Sequence, residues 1–526
     1  MRSYYEHLAS TAASSSSLAK PIFRSSAIFP VIQQKGISTR ILFMGYWLLK
    51  RHIHRLAAVI SLRSEKGILL SRHNFSVEEA KCFRIEASDY IKSADIIEES
   101  LFKGTLEVEF FSNVHLVFPF PATVVNYYGP QFSVVVHTAQ RVYNDFEDMQ
   151  NNSKVWVPES GFNLYANEEQ EPFIGLINGP ETVAAADVKL SVYNKAGETC
   201  SMEIPLATLQ PYGLQWIYPA RHFDLKSFLK GEGGAGKLSF HVQGIFPRLV
   251  VGNFHHFLPA MSITHTYYDC STATSSSDYW TSLDPAWHPA TLMIPLTLMG
   301  DLFTSIYFYP VYSPSHFSIS LEIYDASGKC LAEIPRFLSL HSPVEELKWI
   351  DFKAVCASLK IPITQEMGAR IIAVPEENRS VPARIKLGLD LGHEKRKHMP
   401  CNICTNLQPH SPQLDTKPST FRWLPILADQ SSSSFWIMNS SPAVHYEKEA
   451  QIQLNFYREQ DTETLARSIL LPPQGFTVIR TEEEQELQNF FNGKPGWCTA
   501  ISSNPYTVTY YFTDSASGVV GGDHGF

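Results

Sequence analysis

The chain has 526 residues, and at roughly 100 to 200 residues per domain this length predicts several domains. With 44% hydrophobic and 18% charged residues, the composition is that of a globular protein and excludes a disordered, coiled-coil or collagen-like chain. The formal net charge of -9 offers no basic surface to a phosphate backbone, so we expect no nucleic-acid partner.

The first 26 residues are rich in Ser and Ala, and we expect residues 1–26 to be a disordered leader. The longest apolar runs that follow, 41–49 and 56–62, are shorter than the roughly 20 residues that a membrane-spanning helix needs. The first run begins at residue 41, too far from the N-terminus for a secretory signal. The sequence therefore predicts neither a signal peptide nor a transmembrane segment, and it leaves the compartment open.

The most informative feature of the sequence is an internal repeat. Alternating apolar and polar residues followed by a turn occur at 59–67, 188–197, 319–328 and 452–461. Tyr193, Tyr324 and Tyr457 hold the same place in the last three copies and are 131 and 133 residues apart, and Arg63 stands there in the first. This pattern is typical of a strand entering a hairpin. The long period is unlike that of a solenoid repeat and suits a whole small domain.

Each copy closes with two further strand-like runs, of which the final ones are 133–137, 262–265, 400–404 and 519–524. We therefore predict an all-β protein of four tandem, diverged antiparallel β-sandwich units. The predicted units are residues 27–150, which is the most diverged, 155–275, 286–410 and 421–526. The patterns do not distinguish an immunoglobulin-like from a jelly-roll-like topology. Helix is predicted only in short stretches such as 482–491.

The segment 231–238 fits the glycine pattern of a phosphate-binding loop, but its context argues against that function. Such a loop needs a helix after it and a Ser or Thr after its Lys, which hold phosphate and Mg²⁺. Here Leu238 follows Lys237 and a strand-like run comes next. We therefore expect an ordinary loop.

A candidate zinc site lies in the third unit. His393, His398, Cys401 and Cys404 offer two imidazoles and two thiols within twelve residues, which is the ligand set of a structural zinc site. The repeat, however, places Cys401 and Cys404 on the final strand, where residues three apart point to opposite faces. We expect no cofactor in the protein, with zinc at this set as the alternative.

Three histidines, His137, His265 and His524, occupy the same place on the final strands of three units. Their recurrence in diverged copies favours a shared structural role, such as a ring nitrogen bonded to a backbone carbonyl. A ligand role is the alternative.

The second unit contains the densest polar cluster, formed by His255, His256, His265, Tyr267 and Asp269. A hairpin there could bring His255 or His256 beside the other three. Two imidazoles and a carboxylate can bind a metal or act as an acid-base pair. The alternative is a hydrated strand end that carries one hydrogen-bonded histidine.

Similar modules without one distinctive catalytic constellation indicate repeated binding or spacing rather than chemistry. The sequence therefore favours a non-enzymatic tandem β-sandwich protein that presents loops to a glycan or protein surface, where aromatic side chains provide contacts. The alternatives are a hydrolase or metal-dependent enzyme with a single site in the second unit, and a purely structural scaffold. The ligand and the oligomeric state cannot be read from these patterns.

Overall fold

The computed structural model describes residues 22–94, 96, 101–116, 122–137, 159–239, 249–268, 279–280, 290–309, 317–340, 346–376, 381–382, 385–396, 399–410, 412–429, 432–443 and 445–525. Within these ranges the chain forms antiparallel β-sheets joined by short helices, which confirms the predicted all-β class. None of the helices in the same ranges is long and apolar enough to cross a bilayer.

The first segment of the chain forms two four-stranded sheets, with the orders β1-β6-β3-β4 and β5-β2-β7-β8. Its elements are β1 (Phe23–Gln33), β2 (Ser38–Met44), α1 (Tyr46–Arg51), β3 (Leu56–Ser64), β4 (Leu69–Val77), β5 (Cys82–Glu86), α2 (Ala87–Ser93), β6 (Phe102–Ser112), β7 (Thr123–Gly129) and β8 (Phe132–His137). Because β1 begins at Phe23 and both Ser25 and Ser26 are buried, residues 23–26 belong to the fold and not to the predicted leader. Residues 1–21 of that leader lie outside the described residues.

The second segment has sheets of order β13-β10-β15-β16 and β12-β11-β14-β9-β17. Its elements are β9 (Glu159–Leu164), β10 (Gln170–Ile177), β11 (Ala186–Tyr193), β12 (Thr199–Leu206), β13 (Leu214–Ile217), a 3-10 turn (Pro219–Arg221), α3 (Leu225–Leu229), β14 (Gly234–Ser239), β15 (Val250–His255), β16 (Met261–His265) and β17 (Tyr267–Tyr268). The glycine-rich segment thus leads into a strand and not into a helix, as expected for an ordinary loop.

The third segment has sheets of order β23-β20-β26-β27 and β22-β21-β24-β19-β28, and a small pair β18-β25. Its elements are β18 (Tyr279–Trp280), β19 (Ala290–Leu296), β20 (Leu302–Phe308), β21 (Phe317–Tyr324), β22 (Cys330–Leu340), β23 (Lys348–Asp351), α4 (Phe352–Leu359), β24 (Met367–Pro375), β25 (Val381–Pro382), β26 (Lys386–His393), a 3-10 turn (Glu394–Arg396), β27 (Cys401–Asn406) and β28 (Gln408–Pro409).

The fourth segment has sheets of order β29-β34-β31-β32 and β33-β30-β35-β36. Its elements are α5 (Pro412–Asp415), β29 (Thr420–Ile426), β30 (Ser432–Met438), β31 (Ala450–Arg458), β32 (Thr464–Leu471), β33 (Phe476–Arg480), a 3-10 turn (Thr481–Glu483), α6 (Gln485–Phe491), β34 (Gly496–Ser502), β35 (Val508–Asp514) and β36 (Val520–His524). The short helix predicted at 482–491 is present as α6.

The same strand order recurs in all four segments. Counting the eight main strands of each segment in chain order, one sheet reads 1-6-3-4 and the other 5-2-7-8. The first two strands therefore lie in different sheets, whereas they are neighbours in the immunoglobulin constant fold. The predicted unit boundaries stay a prediction, because most of the stretches that join the segments lie outside the described residues.

The repeated motif found in the sequence is the hairpin formed by the third and fourth strands. In β31 the side chains of Ile452, Leu454 and Phe456 are buried while the intervening residues are more exposed. This one-sided burial is the reason for the alternating pattern. The turns after β11 and β21 contain Gly197 and Gly328, with φ angles of 81° and 80° that favour glycine.

These hairpins connect the segments into a closed ring, because each hairpin contacts the fifth strand region of the next segment. The four contacts are Leu214 N donating to Glu65 O (2.8 Å), the Lys195 ammonium 4.0 Å from the centre of the Trp349 ring, Phe476 N donating to Ala326 O (3.1 Å), and Arg84 Nε donating to Glu459 Oε1 (3.1 Å). The last of these joins the fourth segment back to the first.

The final strands of the segments meet at the centre of the ring. Strand β8 contacts β16, β16 contacts β27, β27 contacts β36, and β36 contacts β8. Side chains on these four strands therefore lie around one central axis, to which all four segments contribute.

A buried ion pair also closes the ring. Arg40 on β2 makes two hydrogen bonds to Asp429 in the fourth segment, at 2.6 and 2.9 Å, and a third to Asn126 at 2.8 Å. The side chains of Arg40 and Asp429 are 0% and 7% exposed. The guanidinium is thus fully paired inside the junction between the first and fourth segments.

We expect the Gly328→Ala variant to unfold at a lower temperature than the Gly197→Ala variant. Both substitutions place a side chain at positive φ, which costs about 1–2 kcal/mol. At Gly328 the added Cβ would also lie 2.1 Å from Pro473 O in the fourth segment, while at Gly197 nothing lies within 4 Å. Scanning calorimetry of both variants tests this difference, and equal melting temperatures would show that the hairpin turn does not contact the next segment.

We expect Asp429→Asn to lower the free energy of unfolding by about 3–5 kcal/mol, because it leaves the buried Arg40 guanidinium without a counter-charge. Glu459→Gln is the matched control, since the Glu459 and Arg84 side chains also join the fourth segment to the first but are 23% and 34% exposed. Its expected cost is at most about 1 kcal/mol. Urea unfolding of the two variants measures both values, and a cost for Asp429→Asn as small as that of the control would contradict the prediction.

Candidate functional site

The three recurrent histidines converge at the central axis. His137 ends β8, His265 ends β16 and His524 ends β36, where it follows Asp523. The ring centre of His137 lies 4.6 Å from that of His265 and 4.4 Å from that of His524. The first, second and fourth segments thus each contribute an imidazole to one cluster, which we call the axial cluster: His137, His265, Asp523 and His524.

Hydrogen bonds orient each ring of the axial cluster. Asp523 Oδ2 lies 2.5 Å from His137 Nδ1 and also accepts the His137 backbone N-H, at 3.2 Å. His265 Nδ1 lies 3.2 Å from Thr266 O, and His524 Nδ1 lies 3.0 Å from Gly525 O. Since a carbonyl only accepts hydrogen bonds, both Nδ1 atoms are donors. Two of the three rings therefore bond a backbone carbonyl, as in the structural role expected for this position.

The axial cluster contains an ionised carboxylate and a neutral imidazole at pH 7. Burial alone would raise the pKa of Asp523, but the charge and the hydrogen bond of His137, together with His524 and His265, hold it well below its usual value. Burial, together with the nearby charge of His137, lowers the pKa of His524 to about 4.

The axial cluster is closed to large substrates, because His137, His265 and Asp523 are 4%, 0% and 2% exposed. Its four potential ligand atoms, one from each side chain, all lie within 4.8 Å of one another. In the ranges that the structure describes, this is the one group of three or more His, Cys, Asp or Glu residues with such spacing. The arrangement can therefore hold a proton or an ion between segments.

Asp523 was absent from the residues predicted from the sequence. The only indication of Asp523 in the sequence is its position directly before the recurrent His524. Its contact with His137 joins residues that are 386 apart in the chain, so no local pattern predicts it. Only the packing of the final strands around the axis creates that contact.

The hairpin of the second segment does not bring His255 or His256 beside His265, so the described residues do not form the convergent site that was one of the two interpretations of this cluster. The β15-β16 register pairs Val250 with His265, so His255 stands five residues further along β15. At about 3.3 Å per residue this separates the two strand positions by roughly 16 Å. The convergence on which the enzyme alternative depended is thus missing.

The other members of that predicted cluster have separate surroundings or lie outside the described residues. His255 Nδ1 accepts the backbone N-H groups of Phe257 and Leu258, both at 3.1 Å, and so stabilises the tight turn after β15. Tyr267 pairs with Gly161 in the backbone register of β17 and β9. Asp269 lies outside the described residues, as does the environment of the Tyr267 side chain.

The described members of the predicted zinc set do not lie close to one another. His393 bonds Asp301 through Nδ1 (2.9 Å) and Asp514 through Nε2 (3.0 Å). Cys401 and Cys404 are buried in two different hydrophobic clusters. This separation follows from the opposite directions of side chains three apart on a strand. The fourth member, His398, lies outside the described residues.

A second polar group lies close to the final strands. Asp390 Oδ1 accepts hydrogen bonds from Asn163 Nδ2 (2.9 Å) and Asn402 Nδ2 (2.5 Å), and so links the second and third segments. Burial raises the pKa of the Asp390 carboxyl to about 8, although both amide bonds lower it. Asp390 is therefore mostly protonated at pH 7.

We expect Asp390→Asn to stabilise the protein more at pH 8 than at pH 5.5. Between the unfolded pKa near 4 and the folded value of about 8, the folded wild type binds more protons than the unfolded chain. Wild-type stability therefore falls as the pH rises through this window, while an amide does not titrate. Urea unfolding at each pH gives the difference in free energy of unfolding between the variant and the wild type. This difference should be larger at pH 8 than at pH 5.5 by more than about 1.4 kcal/mol, the equivalent of one pKa unit.

The exposed Asp187 provides the control for this pH dependence. Asp187→Asn should give nearly the same stability difference from wild type at both pH values. If Asp390→Asn behaved in the same way, the Asp390 carboxyl would not be protonated in the folded protein.

A surface cleft of about 550 Å³ lies between the first and second segments. Its lining residues are Glu65, Lys66, Lys103, Thr208, Leu209, Gln210, Gly213, Leu214, Gln215, Trp216, Tyr218 and Arg221. A groove of similar size, about 590 Å³, lies on the fourth segment but is lined mainly by Ser, Gln, Ile and Leu. The cleft thus differs from this groove by its cations and aromatic rings.

Lys103 is the central cation of the cleft. Its Nζ donates a hydrogen bond to Tyr218 Oη at 2.9 Å and lies 5.3 Å from the ring centre of Trp216. Arg221, also in the wall, forms a double hydrogen bond with Glu171 at 2.7 and 3.1 Å, which offsets its charge. Lys66 and Lys103 therefore supply the available positive charge, beside the ring of Tyr218.

Comparisons with known proteins give little additional information. No protein-family model and no curated protein matches the chain. Ten chains of solved structures are similar. One is a calcium-binding mutant of Bacteroides uniformis beta-glucuronidase 2, with 9% sequence identity and a TM-score of 0.11; the match covers 47% of this chain and 26% of that one. Another is Bacteroides uniformis beta-glucuronidase 2 bound to cyclophellitol-6-carboxylate aziridine, with 9% sequence identity and a TM-score of 0.10; the match covers 48% of this chain and 27% of that one. A chain described as a beta-galactosidase of Bacteroides fragilis has 11% identity, a TM-score of 0.10 and coverages of 46% and 32%.

The chain spans only about a quarter of the length of the two Bacteroides uniformis chains. With TM-scores near 0.1, these similarities support no inference about the function of this chain.

Proposed function

We propose that the protein is a non-enzymatic β-sandwich scaffold that binds an acidic glycan in the cleft between its first and second segments. The observation that carries the proposal is the combination of Lys66, Lys103 and Tyr218 in one concave site. Cations attract carboxylate or sulfate groups, and aromatic rings pack against the apolar faces of sugar rings.

The shape of the cleft favours a saccharide over the flat surface of a folded protein. Its volume of about 550 Å³ is within the 300–1,000 Å³ range of small-ligand sites. The amide side chains of Gln210 and Gln215 can exchange hydrogen bonds with hydroxyl groups. A protein partner would need a larger buried area for stable binding.

Two segments form the cleft together, so it requires that the first and second segments pack against each other. Lys66 and Lys103 come from the first segment, and Gln215 and Tyr218 come from the second. The hydrogen bond from Leu214 N to Glu65 O holds the two walls together at one end. The role of the other segments in this proposal is to support the cleft.

The test is isothermal titration calorimetry of the full chain with a galacturonic acid hexasaccharide and with a neutral galactose hexasaccharide. We expect binding of the acidic probe only, weakening as salt increases because the contact is electrostatic. Lys103→Met keeps the apolar stem but removes the charge and its hydrogen bonds, so the affinity should fall about 10-fold or more. Tyr218→Ala should lower the affinity by roughly 3- to 10-fold through loss of ring contact.

Lys494→Met is the matched control, because it removes one exposed positive charge from the fourth segment, far along the chain from the cleft. It should leave the affinity unchanged. Equal binding of the neutral probe, or an equal loss of affinity in Lys103→Met and Lys494→Met, would overturn the proposal.

A further inference from the structure

We infer that the axial cluster is a transition-metal site, best suited to Zn²⁺, that joins the first, second and fourth segments. The four side chains come from three segments and place one potential ligand atom each within 4.8 Å of the others. In tetrahedral zinc, with bonds of 2.0–2.1 Å, neighbouring ligand atoms are about 3.3 Å apart. The side chains therefore need to close by at most about 1.5 Å to meet one ion.

The hydrogen bonds of the axial cluster prepare the rings for coordination. The Nδ1 atoms of His265 and His524 donate to the carbonyls of Thr266 and Gly525. This fixes the tautomer in which Nε2 carries the lone pair that a metal needs. Ligating histidines in proteins usually make this outward bond to a carbonyl or a carboxylate.

Asp523 supplies the negative charge and orients the third ring. Its Oδ2 is bonded to the ring and the backbone N-H of His137, and its Oδ1 accepts the backbone N-H of His524. Nitrogen ligands with one carboxylate are a set that Zn²⁺ binds, while Mg²⁺ and Ca²⁺ prefer oxygen ligands. The metal that fits is therefore a transition metal.

The site lies on the junction that closes the ring. His137 belongs to the first segment, and Asp523 and His524 belong to the last. A metal ion at this point would join the first segment to the last, and both to the second segment through His265. The axial cluster would thus serve a structural purpose, independent of the proposed glycan cleft.

The experiment starts with the full chain purified without chelator and analysed for metals by mass spectrometry. Chelator-treated protein is then titrated with ZnCl₂ in a calorimeter. We expect one equivalent of zinc per chain in the titration and a lower melting temperature after chelation. Failure of the chelated wild type to bind zinc would overturn the inference.

Variants of the axial cluster locate the site. His265→Gln and His524→Gln should each weaken zinc binding at least 100-fold, and Asp523→Asn should weaken it about 10- to 100-fold. His393→Gln is the matched control, since His393 is also bonded to two carboxylates but lies outside the axial cluster. It should still bind one equivalent. Unchanged binding in His265→Gln and His524→Gln would overturn the assignment.

A measurement on the wild type keeps the inference testable if the variants do not fold. X-ray absorption at the zinc edge distinguishes nitrogen and oxygen ligands near 2.0–2.1 Å from sulfur ligands near 2.3 Å. We expect a shell of nitrogen and oxygen only. A sulfur shell would place the metal at one or more cysteines and overturn the assignment to the axial cluster.

Discussion

The contact between the final strands β36 and β8 is the constraint on which the rest of the structure depends, because it closes the ring. The end of the neighbouring strand β35 supports this contact, because Thr513 Oγ1 donates to the backbone oxygen of Ser133 on β8 at 2.5 Å and the Ser133 backbone N-H donates to Ser515 Oγ at 3.1 Å. A Cβ at Gly521 would lie 2.4 Å from Ser133 O, so only glycine permits this approach. The entropic cost of closing so long a loop grows only with the logarithm of its length. Local fit at this junction therefore decides whether the ring closes.

The junction between the first and fourth segments contains two buried polar pairs. Arg40 with Asp429, and His137 with Asp523, are both buried and both join the first segment to the fourth. Such pairs contribute little net stability over hydrophobic packing, but losing one partner leaves a buried charge and is costly. They therefore penalise wrong arrangements more than they stabilise the right one. In a chain whose segments share one strand order, this penalty selects the correct neighbours.

The parts of the fold that depend on local pattern could be predicted from the sequence. The hairpins, the final strands and the all-β class follow from period-two alternation and turn residues, as in β31 and the turn at Gly328. Contacts between segments could not be predicted, because no local pattern records that Asp523 meets His137 or that Lys103 meets Tyr218. The grouping of His255 with His265 failed for a related reason, since nearness in sequence does not fix the register of a hairpin.

The same arrangement of four segments places the axial cluster in a buried environment and the cleft at the surface. At the axis, four final strands pack so closely that His265 is fully buried, and its ring nitrogens exchange bonds only inside the protein. At the edge of the ring, the hydrogen bond between Leu214 and Glu65 joins the first and second segments, and the cleft beside it is lined by Lys66, Lys103 and Tyr218. Close packing at the axis keeps solvent away from the ionisable side chains there, whereas the cleft leaves its cations within reach of a ligand. The two sites therefore depend on opposite degrees of burial, and the function of each can be tested without the other.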